Sequence, residues 1–153
     1  MNSKSLVGLI VSLSLLSCEP EQSNLQTELP RSKIGETVRW YDSAQVALGA
    51  EIFTANCAVC HGLKAEGLYP DWKQKLPSGA FPPPPLNGTA HAWHHPLSVL
   101  VGVIEQGGTA LGGVMPGFAT QLNDKEKLAA IAYFQNFWSE ENYENWMQMG
   151  GTD

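Results

Sequence analysis

Cys57 and Cys60 stand three residues apart, and His61 follows the second thiol directly. No other short stretch of this chain restricts its fold so strongly. On a helical turn the two thiols lie on one side, so both reach the two vinyl groups of a single porphyrin and form thioethers. The imidazole is then carried under the ring, where it binds the iron as proximal ligand. This Cys-x-x-Cys-His order is the attachment pattern of c-type haem. A porphyrin held in this way becomes part of the protein core. The other chemistry of such a cysteine pair, dithiol exchange, needs a βαβ context, and no run of β-branched residues surrounds Cys57.

The N-terminus has the layout of a secretory signal: Lys4 as the one positive charge, a mostly apolar run from Ser5 to Leu16, then Ser17 before Cys18. The run is too short and too serine-rich to span a bilayer, which takes ~20 apolar residues. Leu15-Leu16-Ser17-Cys18 resembles the lipobox of bacterial lipoproteins. The resemblance implies cleavage before Cys18, with acylation of its thiol and of the new amino terminus, and two or more acyl chains anchor stably. The expected location is the bacterial cell envelope, on the periplasmic side, with the lipid in a membrane. Ordinary cleavage would instead leave a soluble periplasmic protein. Of the three cysteines, one is thus assigned to lipid and two to haem. None remains for a disulfide, although an exported protein would permit one.

Three segments follow: residues 1–17 as a lipoprotein-type signal peptide, 18–38 as a flexible tether, and 39–150 as one folded domain. The tether is polar and too poor in apolar residues to fold. The domain is small, and a covalent porphyrin supplies apolar surface that its side chains lack. Four helices are expected. The first runs from Ser43 to Cys57, capped by Asp42 or Ser43, with Val46, Gly49, Ala50 and Phe53 on one face. The second starts with Pro96 in its first position and stops at Gly107-Gly108. The third begins at Asn123, with Glu126 completing a capping box, and continues to Trp138. The fourth covers Glu140 to Gln148 behind Ser139. No alternating strand pattern is evident, so the expected fold is all-α. Between Gly62 and Pro96 the chain reads as loop, with Pro82-Pro83-Pro84-Pro85 a stiff polyproline segment. So long a loop inside a small domain makes sense if it wraps a ligand.

Iron with six ligands needs a partner opposite His61. Met1 leaves with the signal, and Met147 and Met149 fall in or after the last helix. Met115 lies in Gly112-Gly113-Val114-Met115-Pro116-Gly117-Phe118, between two helices. The proline keeps Met115 extended, and the glycines allow close backbone approach. A thioether ligand raises the reduction potential.

Taken together, Gly49, Phe53, Cys57-Ala58-Val59-Cys60-His61-Gly62, Pro84-Pro85-Leu86-Asn87-Gly88, Met115-Pro116-Gly117-Phe118 and Leu122-Asn123-Asp124 to Tyr133 resemble the class I cytochrome c family of mono-haem electron carriers. The resemblance covers residues 44–138. It implies a cytochrome c-like fold around one covalently bound haem c per chain, attached at Cys57 and Cys60, with His61 and Met115 as axial ligands. It also implies that the Pro84 carbonyl orients His61, that Gly49 lets the first and third helices approach closely, and that Phe53 meets Tyr133 or its neighbours. The long loop and the helix after Trp138 depart from the family pattern.

His91-Ala92-Trp93-His94-His95 leaves several readings open. His91, His94 and His95 suit copper or zinc, and one of them is an alternative distal ligand to Met115 or a partner for the haem carboxylates. The plain reading is a polar loop with Trp93 near the haem edge and His95 near the next helix. Trp40, Tyr41 and Trp72 read as packing residues, and Glu140, Glu141 and Glu144 as a solvated helix face. The net charge of −6 disfavours nucleic acid and weakly suits a basic partner. The expected function is electron transfer by a membrane-anchored carrier, not an enzyme, serving redox partner proteins as a relay or as the subunit through which electrons enter a respiratory oxidoreductase. A haem-based sensor or peroxidase-like protein, and a copper- or zinc-handling lipoprotein, are the alternatives.

Overall fold

The computed structural model describes residues 37–153. The signal peptide, Cys18 and the tether up to residue 36 lie outside the described residues. Five α-helices follow in order: α1 Ser43–Asn56, α2 Ala58–His61, α3 Leu97–Gln106, α4 Asp124–Gln135 and α5 Glu140–Gln148. Short 3₁₀ turns occur at Ala92–His94 and Thr109–Leu111. The described residues form no strand, only one isolated bridge between Phe81 and Gly113. The fold is all-α.

Capping chemistry sets the helix starts. Asp42 accepts from the Gln45 amide while the Gln45 side chain accepts from the Asp42 amide, a reciprocal box that opens α1. Asn123 and Glu126 do the same for α4, and Ser139 caps α5. Asn123→Ala is expected to cost about 1 kcal/mol of stability, read as a lowered midpoint in thermal unfolding.

Three boundaries differ from expectation. The helix expected to reach Cys57 ends at Asn56: Cys57 caps it, its amide still donating to the Phe53 carbonyl, and at a φ of −113° it is also the joint to the single turn α2. Pro96 precedes α3 instead of opening it, since its ψ of 164° is extended. The third helix stops at Gln135: the Phe137 and Trp138 amides turn to carbonyls three residues back, at Phe134 and Gln135. That tightening directs the chain towards the Ser139 cap.

The helix α1 crosses α4 at very close range. A β-carbon at Gly49 would overlap the Ala129 carbonyl and lie 2.9 Å from Cβ of Tyr133, so only glycine fits there. One turn further on, buried Phe53 packs on Tyr133 with ring centroids 5.1 Å apart. The core continues through Ile131, Phe134, Trp138, Tyr143 and Trp146.

Helix α5 fastens what would otherwise be loose. Trp146 donates to the His95 carbonyl (2.8 Å) and Asn142 to the Gly88 carbonyl (2.9 Å), while Trp138 just before α5 donates to Leu86 O (2.7 Å). On its other side α5 holds the incoming chain. Arg39 pairs with Glu140 and lies over the Tyr143 ring, and Thr37 donates to Glu144 (2.9 Å). Glu140 and Glu144 are therefore partners of the N-terminal segment and not merely a solvated face. Lys127, buried on α4, ties that helix to Glu105 of α3.

Candidate functional site

A cavity of about 690 Å³ opens between α3, α4 and the long loop. Its wall is mostly apolar, with Leu86, Leu100, Val103, Ile104 and Phe134 contributing, and both His61 and Met115 line it. This is the pair for which the sequence suggests iron ligation.

His61 reaches the cavity from α2, directly after the cysteines. Its Nδ1 lies 2.9 Å from the Pro84 carbonyl. A proline carbonyl can only accept, so Nδ1 carries the proton and the lone pair of the neutral ring sits on Nε2. Burial lowers the imidazole pKa below its ordinary value, and the bond to Pro84 opposes that only partly. A neutral ring with Nε2 free is the form that ligates a metal. Pro84 is itself held in place: the amides of Leu86 and Asn87 both donate to the Ala65 carbonyl (2.7 and 3.1 Å). Ala65 is wholly buried and adopts a positive φ of 56°, a local cost borne where the loop is pinned to the haem motif.

Cys57 and Cys60 form no disulfide. Burial first, then the neighbouring Cys60, pushes the Cys57 thiol up to about 11. It is a neutral thiol at neutral pH, unlike the low-pKa thiolate of a dithiol oxidoreductase.

Met115 is positioned by the end of α3. The Gly108 amide donates to the Met115 carbonyl (3.0 Å), and the Phe118 amide to the Ile104 carbonyl (2.8 Å). Gly107 has φ 79°, and a β-carbon there would come within 2.6 Å of the Met115 carbonyl. The glycines around this loop thus let it lie flat on α3.

The histidine segment divides. His91 and His95 line the cavity, with ring centroids 5.4 Å apart. His94 stacks on Trp93 at 3.8 Å instead. Among the described residues no three His, Cys, Asp or Glu side chains gather to hold a metal ion, so the three imidazoles do not converge as a copper or zinc site requires. Trp72, not Trp93, is the tryptophan on the cavity wall, and Lys73 accompanies it. The sequence offers no signal for this placement, because the irregular loop fixes neither residue's position.

An apolar cavity with a neutral histidine presented directly after two free thiols defines a c-type cytochrome. The residues present fit one covalently bound haem c, held at Cys57 and Cys60. Residues 44–134 match the family described as "Cytochrome C oxidase, cbb3-type, subunit III", and the chain belongs to that family. No curated protein and no solved structure matches the chain. Membership brings haem-based electron transfer with redox partners, the work of an electron carrier.

Proposed function

We propose that the protein is a one-electron carrier whose haem iron is ligated by His61 and Met115, delivering electrons to a membrane oxidoreductase. The observation that carries this reading is the His61–Pro84 hydrogen bond, which frees Nε2 inside the same cavity that Met115 lines. When bound, the haem supplies a reversible Fe(III)/Fe(II) couple. The protein residues do the rest. Pro84 fixes the plane of His61, so the ring has little freedom to reorganise. The thioether of Met115 favours the ferrous state and raises the potential. The apolar wall excludes water and keeps the local dielectric low.

Phe81, Leu111 and Val114 line the cavity yet are 37%, 72% and 46% exposed. They provide an apolar rim where a partner can dock close to the porphyrin edge. The family's description names a subunit of an oxidase, which favours a terminal oxidase as electron acceptor, with this chain as a subunit or a relay. No helix among the described residues is long and apolar enough to cross a membrane. Attachment is assigned to lipid on Cys18, in the envelope of a bacterial cell on its periplasmic side.

Met115→Ala tests the ligation. The potential is expected to fall by a substantial part of the ~0.8 V range over which axial ligands tune haem, and the low-spin spectrum is expected to change. An unaltered spectrum and potential would remove Met115 as ligand. Mass spectrometry of the same material reads the haem adduct and the lipid on Cys18 together.

A further inference from the structure

One corner of the cavity has a chemistry unlike the rest. Trp72 stacks on His91 with centroids 4.8 Å apart and planes 24° from parallel. Lys73 Nζ lies 5.4 Å from the Trp72 ring, and His95 stands edge-on to His91. Lys73, His91 and His95 are, with His61, the ionisable side chains on the cavity wall among the described residues, and no Asp or Glu joins them. The long loop supplies Trp72 and Lys73, and the 3₁₀ turn Ala92–His94 carries the histidines at its two ends.

A haem carries two carboxylates that are ionised at neutral pH, and a carboxylate taken out of water needs cationic or hydrogen-bonding partners. We propose that Lys73, His91 and His95 receive the haem carboxylates, and that a proton held by the His91–His95 pair is taken up and released with the electron. This rests on the reading that haem occupies this cavity as a one-electron carrier. The step balances. One electron from a donor protein enters the haem as one proton from solvent binds an imidazole, and both depart on oxidation. Two imidazoles with centroids 5.4 Å apart repel when both are charged, so the pair holds a single proton.

Trp72 and His95 stand against the His91 ring, and the charges that act on it are those of His95, His94 and Lys73. Burial, then His95, His94 and Lys73, lower its pKa from the ordinary value. A haem carboxylate acts in the opposite direction, favouring the protonated ring of His91. Raising the pH removes positive charge beside the iron and so disfavours the added electron. The potential therefore falls as pH rises, with a limiting tenfold change in the redox equilibrium per pH unit, about 59 mV.

The experiment is a midpoint titration of the full haem-loaded protein between pH 5 and 9. The unmodified protein is expected to show the downward slope, and the H91Q/H95Q variant a flat line. Lys73→Gln, on an exposed part of the loop, is expected to lower the equilibrium constant for reduction roughly two- to tenfold at every pH while keeping the slope. A flat line in the unmodified protein, or a slope that survives H91Q/H95Q, overturns the proton coupling. An unchanged potential in Lys73→Gln overturns the assignment of lysine. Absence of a haem adduct or of a low-spin spectrum in the unmodified protein is a separate failure, that of the carrier reading itself.

Discussion

Replacing Gly49 by leucine is expected to lower the midpoint of thermal unfolding by more than about 10 °C, or to prevent accumulation of folded protein. A β-carbon at this position meets the Ala129 backbone carbonyl and Cβ of Tyr133. Neither can swing aside as a flexible side chain would. Overpacking commonly costs 1–3 kcal/mol, and a backbone obstacle places this case at or beyond about 3 kcal/mol. The whole stability of such a domain is only about 5–15 kcal/mol, and each kcal/mol moves the midpoint by roughly 4–8 °C. Gly102 in the middle of α3 is the matched control. Nothing lies within 4 Å of a β-carbon there, so Gly102→Ala is expected to stabilise by about 0.5–1 kcal/mol. Circular dichroism melts of both variants decide the matter. A Gly49→Leu protein as stable as the unmodified one would mean that α1 and α4 do not cross as described.

The second large effect is expected at His61. His61→Ala should leave the porphyrin attached, because Cys57 and Cys60 are untouched, while the proposed ligation by His61 requires the low-spin spectrum to disappear. The Pro84 carbonyl loses its partner as well, at a cost of about 1–3 kcal/mol if it stays buried. Added imidazole is the discriminating measurement. It should restore the low-spin spectrum if the variant is folded with an open coordination position, and should not if the domain has collapsed. A His61→Ala protein that keeps the original spectrum without added imidazole would place the nitrogen ligand elsewhere, with His91 and His95 the first positions to examine.

Much of this was legible in the sequence because the relevant signals are local. Asp42, Asn123 and Ser139 begin helices through hydrogen bonds spanning only three residues, and the cysteine–histidine motif states its chemistry in five residues. The close crossing at Gly49 and the contact of Phe53 with Tyr133 followed from the family resemblance. What escaped depends on contacts between distant parts of the chain. Trp72 and Lys73 reach the cavity only because the loop between Gly62 and Pro96 is pinned at Ala65, Gly88 and His95. The break at Cys57 was hidden because apolar spacing runs through it without interruption. Glu140 and Glu144 looked solvated because their partners, Arg39 and Thr37, lie about a hundred positions earlier.

That last connection has a mechanical meaning. Thr37 and Arg39 are gripped by α5, and Trp40 donates to Tyr143 and Gln135, before the chain enters the helix that ends at the thiols. A pull applied at the N-terminal side is resisted first by these clasps and by the aromatic core behind them. A force on the chain ahead of Thr37 thus meets these clasps before it reaches the helix that leads to the haem-binding thiols.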